Sequence, residues 1–298
     1  MVSQAPVAKL DIPQPEDDLR RRSHWQRAYY HLRQDGITLV ALFVLFVLVV
    51  MALSAPIFEK VIGITYDAEN LNYDFLAPGS EAVWKVKGGE IRTIKHILGT
   101  DEQGRDVFIR LLYGAQVSLG IAVIASSLSM TIGVSLGMIT GFIGGVVDDF
   151  FIWLITTINS IPQLFLLLII SALLRPGPFS LILVLGFLGW TGIMRLVRGE
   201  SLSLREREYI VAARAMGASN RRLMFQHIFP NLISIVVIIM ALDIGALILA
   251  ESGLSFLGFG IQPPIPSWGN MLTNSQQYFR KAPYLVVLPG LMISTTVL

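Results

Sequence analysis

The distribution of charge constrains this chain more than any other feature of its sequence. Residues 37–58, 111–147, 150–174, 176–194 and 282–298 contain no Asp, Glu, Lys or Arg, and 223–250 contains only Asp243. A hydrocarbon core about 30 Å thick is crossed by roughly 20 apolar residues of helix, so several of these stretches are long enough to span it. With 15% charged residues against 53% hydrophobic, the chain reads as a polytopic membrane protein. Soluble, disordered and disulfide-scaffold classes are excluded. A net charge of +2 gives no global field for nucleic acid, and the absence of Cys removes thiol catalysis and thiolate metal sites.

Six spans are expected. The first is Ile37 to Phe58, longer than the core of a signal peptide and followed by further spans. The second covers about 114–140, with Gly141, Gly144 and Gly145 turning the chain before Asp148 and Asp149. The third runs from about Phe150 to Leu174 with a kink at Pro162, and Arg175-Pro176-Gly177-Pro178 breaks the chain. The fourth reaches about Leu196, the fifth covers roughly 231–250, and the sixth starts near Tyr284. Arginines 20, 21, 22, 27 and 33 precede the first span, and Arg195, Arg198, Arg205, Arg207, Arg214, Arg221 and Arg222 lie between the fourth and fifth. The positive-inside rule puts both segments in the cytoplasm, which an even number of spans allows.

Several polar or small residues stand out against this background. Residues 16–35 read as an interfacial helix on the inner leaflet. Ala125, Ser129, Gly133, Gly137, Gly141 and Gly145 recur every fourth residue, a stripe that admits close approach of another helix. Asp243 sits inside the fifth span and Glu251 near its outer end; a proton relay would need acids in several spans, so Asp243 reads as a lone structural or cavity-lining acid. Catalytic motifs are missing. There is no GxxxxGK[ST], Gly253-Leu254-Ser255-Phe256-Leu257 lacks the last glycine of a nucleophile elbow, and His24, His31, His96 and His227 form no HExxH. No catalytic residue and no metal site is expected.

The segment 199–231 is the most informative. It predicts a helix from about Leu204 to Met216 stopped by Gly217, then a short helix from Asn220 to Ile228 ending at Phe229-Pro230. Short helices projecting from a membrane domain suit docking into a partner's groove. Ala212-Ala213, Gly217 and Pro230 resemble the "EAA" loop of ABC importer permeases, with Val211 where the leading Glu usually stands and Tyr209 to Gly217 matching the peptide-type form. Two further blocks carry the resemblance. Leu98-Gly99-Thr100-Asp101 through Gly104-Arg105-Asp106, continuing to Leu111, Gly114 and Ser118-Leu119, resembles the "LGTDxxGRD" signature. Ser255 to Gly260, Pro263-Pro264 and Pro266-Ser267-Trp268-Gly269 resemble "LSFLGxGxxPPxPxWG".

Over about 20–298 the chain thus resembles the second, C-type permease of the dipeptide/oligopeptide/nickel class of ABC importers. The resemblance implies an all-α, six-helix fold of the MetI-like type I kind. It would divide into a cytoplasmic segment 1–36, a first span 37–58, an extracytoplasmic loop 59–110, and a core 111–298 containing the coupling loop. It implies a heterodimer with a second permease chain, two ATP-binding-cassette ATPase subunits carrying ATP and Mg, and an extracytoplasmic solute-binding protein, all at a prokaryotic inner membrane. Helix 205–217 would be the coupling helix, with Arg205, Arg207, Arg214 and Arg221 against the ATPase, while 99–106 and 255–269 would shape the outer mouth. The lack of His, Met or carboxylate clusters in the spans favours peptides over nickel; an ion-gradient carrier would need more intramembrane acids and an internal repeat. The chain ends at Leu298 in an apolar run, where the family has a polar tail, which reads either as a sixth helix left incomplete or as a sequence that was cut.

Overall fold

A computed structural model describes residues 35–85 and 91–298; the interfacial helix expected over 16–35 therefore lies outside the described residues, apart from Asp35. Two units are distinguished, 1–47 and 48–298. The described part of the first is the start of helix α1 (Gly36–Ile62), where the Asp35 carboxylate accepts from the Ile37 N–H at 3.1 Å and the Thr38 hydroxyl at 2.6 Å. This satisfies one of the free amides at a helix start. Its apolar side chains, Ile37, Phe43 and Phe46 among them, are exposed within the chain, as a lipid-facing helix requires.

In the second unit the chain leaves α1 and forms a two-stranded antiparallel sheet, β1 (Ser80–Lys85) and β2 (Ile91–His96), with Ser80 opposite His96 and Lys85 opposite Ile91. The described residues are otherwise mostly helical, and this hairpin is a feature the apolar pattern missed. Helix α2 (Val107–Ile143) follows, longer at both ends than expected because Asp106 caps its start and the positive φ of Gly144 ends it. Next come α3 (Gly145–Asn159) and α4 (Gln163–Leu173). These replace the single kinked span expected over 150–174, since the chain turns by 81° at the break. Pro162 supplies no N–H and stands as the cap of α4, so the ladder ends instead of bending.

Helix α5 (Pro178–Arg205) continues nine residues past Leu196. Ile193, Val197, Ser201 and Leu204 keep a helical period of buried residues through the charged stretch. After a turn, α6 (Glu208–Ala215) is shorter than the 205–217 expected. Pro230 does not end a helix. The turn Asn220–Arg222 and a π-helical turn, Leu223–Ile228, run directly into α7 (Phe229–Phe256), with Pro230 in the first turn, where a missing N–H costs little. A short α8 (Trp268–Met271) and α9 (Tyr284–Val297) complete the chain. Among the described residues four helices are long and apolar enough to cross a membrane, or five with α3–α4 counted as one broken span; α9 is shorter, with 14 residues.

Candidate functional site

At the start of α2 the Leu98–Asp106 block forms a buried corner. Thr100 Oγ1 donates to the Tyr73 carbonyl at 2.6 Å and accepts from the Leu76 N–H at 2.8 Å. Asp101 accepts from the Arg105 backbone at 3.0 Å and from its guanidinium at 2.7 Å, with Arg110 3.6 Å away. Gly99 and Gly104 have positive φ and lie so close to the Leu76 and Asn70 carbonyls that a Cβ would overlap them. Asp106 has two roles: Oδ1 accepts from the Ile109 N–H as helix cap, and Oδ2 lies 2.7 Å from His96 Nδ1. Trp84 Nε1 donates to His96 Nε2 at 2.9 Å. An indole only donates, so the network assigns the His96 proton to Nδ1.

The second block docks against the first. Trp268, fully buried, donates from Nε1 to the Leu111 carbonyl at 3.2 Å and from its backbone to Ser118 Oγ at 3.2 Å, over Gly114, where a Cβ would sit 2.9 Å from the ring. Gly269 lies against Ser252 in the same way. Pro263-Pro264 is cis and leads into the capping box of Ser267 and Asn270 that starts α8. Motif residues 150 and more positions apart thus meet in one packed layer at the start of α2 and the end of α7, with most of their buried polar groups satisfied inside the chain and Gln103 Oε1 left without a partner.

Along α2 the small-residue stripe faces α5. A Cβ on Gly133 would lie 2.7 Å from Ile193, on Gly137 2.7 Å from the Met194 carbonyl, and on Gly141 2.6 Å from the Arg198 carbonyl. Gly145 falls outside the stripe, beyond the end of α2, with no neighbour near its Cβ position. The helix that the stripe admits therefore belongs to this chain.

The other end of α2 carries α6. Ile210 and Ala213 are buried in one apolar cluster with Met138 and Phe142 of α2, Val197 and Leu204 of α5, and Leu223 and Leu232 around the start of α7. Tyr209, Val211, Ala212 and Met216 are exposed. Gly217, at φ 86°, closes α6 with Ala218 N–H to the Ala213 carbonyl and Gly217 N–H to the Arg214 carbonyl, a Schellman ending. Gly258 closes α7 in the same way, through Phe259 to Leu254 and Gly258 to Ser255. The arginines divide: Arg214 lies over the Phe142 ring at 5.4 Å and Arg205 donates to the Phe142 carbonyl at 3.3 Å, while Arg207 and Arg221 are exposed. Asp243 is half-buried on α7 and lines a cleft of 690 Å³ with residues of α3, α4 and α5.

Residues 133–298 match the family described as "Binding-protein-dependent transport system inner membrane component". The dipeptide transport system permease protein DppC of Alkalihalophilus pseudofirmus is 32% identical over 96% of this chain and 88% of its own length. The chain belongs to this family. The oligopeptide permease OppC of Bacillus subtilis is 32% identical, covering 92% of this chain and 84% of that one. The glutathione permease GsiD of Pectobacterium atrosepticum is 33% identical, covering 93% and 85%. A solved structure of the MetNI methionine ABC transporter, inward facing, aligns 63% of this chain with 91% of that chain at TM-score 0.48 and 18% identity.

Three residue sets of this permease escaped the sequence reading. Glu251, placed near a helix end on sequence, is fully buried within α7 and accepts from Ser118 Oγ at 2.9 Å and Ser255 Oγ at 2.7 Å. Its signal was Ser255 one turn ahead on the same face. Asp148 of α3 and Arg198 of α5 form a bidentate pair, with Nη2 2.5 Å from Oδ2, for which two like-numbered clues existed only as isolated charges beside apolar runs. His96 carried no sequence signal at all, because its partners, Trp84 and Asp106, are brought to it by the hairpin.

Proposed function

We propose that this permease is one half of the pore of an ATP-driven importer of short peptides. It would work as a heterodimer with a second permease chain, over two ATPase subunits that bind ATP and Mg, and receive its solute from an extracytoplasmic binding protein. The printed functions of the relatives, dipeptide, oligopeptide and glutathione transport, support peptides as the solute. In this reading α9 is a sixth crossing, the N-terminus is cytoplasmic, and the membrane is a prokaryotic inner membrane.

The observation that carries the reading is the two-sidedness of α6. One face, Ile210 and Ala213, is seated among side chains of α2, α5 and the start of α7; the other presents Tyr209, Val211 and Ala212 outward. A helix exposed in this way fits a groove on a partner, and a push on it is transmitted to three spans through packed side chains, which shift between discrete arrangements. Closure of the ATPase pair would thus tilt α2, α5 and α7 and exchange outward for inward access. Arg207, Arg221 and Tyr209 are the proposed contacts at the rim.

The test is Ala212→Arg in the reconstituted importer. Ala212 is exposed, so insertion and assembly of the fold are retained, while peptide uptake and the solute-stimulated part of ATP hydrolysis fall at least about tenfold, the effect of roughly 1.4 kcal/mol at the docking surface. Uptake at the wild-type rate would remove α6 from the coupling role.

A further inference from the structure

The cleft around Asp243 differs from every other acidic environment among the described residues. The buried carboxylates elsewhere have partners: Asp101 has Arg105, Asp106 has His96, Asp148 has Arg198, and Glu251 has two serine hydroxyls. Asp243 makes no ion pair there, and its Oδ2 accepts no hydrogen bond that meets normal geometry, with only the Ser126 hydroxyl alongside. A carboxylate at membrane depth is costly and is retained where it meets a partner, a cavity or a passing ion.

The walls of the cleft say which. It is lined mainly by leucines of α4, α5 and α7, and its polar side chains are Asp243, Asn159, Gln163 and Thr191; no Lys, Arg or His lines it. Thr191 Oγ1 donates to Asn159 Oδ1 at 3.4 Å, so the amide oxygen is engaged and Asn159 has its NH₂ group left to turn. Asn159 is also the last residue of α3, and the carbonyl end of a helix carries partial negative charge. The start of α4 at Gln163 lines the same cleft with the opposite partial charge, so the two helix ends offset each other and Asp243 supplies the only formal charge in the lining of the cleft. Its volume falls within the range of about 300–1,000 Å³ common for small-molecule sites.

We propose that this cleft is the intramembrane contact for the ammonium group of the transported solute, with Asp243 as its counter-charge. The proposal rests on the peptide-import reading and narrows it to solutes bearing a free primary ammonium. Such a group loses its hydration in an apolar passage, and one carboxylate offsets that loss without the cage of partners that would hold it. Leucine walls then accept the side chains of different solutes without selecting among them.

The chain has no cysteine, so Ala246→Cys introduces its single thiol, at an exposed position in the cleft wall. In the assembled importer this thiol is treated with a cationic aminoethyl methanethiosulfonate and with the anionic sulfonatoethyl reagent. The ratio of rates is referred to that of Leu71→Cys, a position 74% exposed outside the helices of the cleft. At position 246 the cationic reagent is expected to be favoured by about tenfold over the reference, equivalent to roughly 1.4 kcal/mol, and Asp243→Asn in the same background returns the ratio to the reference. A preference untouched by Asp243→Asn, or a thiol that reacts with neither reagent in any nucleotide state, overturns the proposal. In a second arm, Asp243→Asn lowers dipeptide uptake about tenfold, the same energetic effect, and Asp243→Glu recovers part of it; wild-type uptake by Asp243→Asn overturns the site. If the unmutated complex imports no peptide while the reagent preference depends on Asp243, the cation site stands and the peptide reading falls.

Discussion

A single side chain, Trp268, joins the two signature blocks. Its ring lies over Gly114, its indole N–H meets the Leu111 carbonyl, and its backbone N–H meets Ser118, which itself donates to Glu251. Removing the ring leaves a cavity and takes the indole donor from the Leu111 carbonyl, while the backbone bond to Ser118 remains. Trp268→Ala is expected to destabilise the permease by about 3–5 kcal/mol, the cost of emptying a buried aromatic site. Trp153→Ala, at a position 61% exposed, is the control and should change little. Thermal unfolding of the detergent-purified complex reads the difference, and equal melting temperatures for both variants would refute the role given to Trp268. The same logic explains why motif residues that look like an outer mouth on sequence are largely buried. Asp101, Arg105 and Asp106 are committed to one another and to the start of α2, so they shape that layer from inside.

Among the elements, α2 and α5 are held by absence of side chains. The carbonyls of Met194 and Arg198 occupy the space in which Cβ atoms on Gly137 and Gly141 would lie, so the helices approach along their backbones. Gly137→Leu forces the pair apart, with a loss of about 3 kcal/mol or more, the upper end of overpacking costs. Gly120→Leu on the same helix has nothing within 4 Å of its Cβ and is expected to be neutral or slightly stabilising, since leucine favours helix over glycine. Accumulation in the membrane and melting in detergent separate the two; similar behaviour would mean that the stripe is not a packing face. This stripe was readable because a fourfold spacing survives any choice of helix ends. The extent of α5 was not read from hydropathy, because Arg195, Arg198 and Glu200 interrupt it, yet the period Ile193, Val197, Ser201, Leu204 runs straight through. The hairpin was not legible, because Ala82, Trp84, Ile94 and His96 alternate in burial but not in polarity, apolar Val83 and Ile91 being among the exposed residues. Pro230 misled for a physical reason: a proline ends a helix only when its N–H is needed, and here it stands in a first turn reached through a π-helical run. Asp243 was legible as an acid in a span, but the cleft it lines requires the 81° break between α3 and α4, which one proline in a sequence does not specify.

For the whole molecule, α2 acts as a ruler. Its 37 residues, at 1.5 Å per residue, extend about 55 Å, well beyond a hydrocarbon core of about 30 Å, so both ends stand in water or headgroups. The Asp106 corner, with the hairpin packed beside it through Ile109, marks one end. Phe142, with Arg205 and Arg214 around it, marks the other. Inserted across a membrane, α2 would place the signature layer at its start and α6 at its end on opposite sides, whichever way the chain is oriented. The arginines between α5 and α7 are expected to choose the direction, because basic loops tend to remain in the cytoplasm. In spheroplasts, a membrane-impermeant maleimide should label Leu71→Cys in the cysteine-free chain and leave Met216→Cys unlabelled, although that position is 82% exposed. In inverted vesicles stripped of ATPase subunits the pattern should reverse, and adding the ATPase back should protect Met216→Cys, which adjoins the proposed docking face. Labelling of both positions from the same side would contradict the ruler. Labelling of Met216→Cys from outside alone would invert the orientation and, with it, separate α6 from any cytoplasmic ATPase.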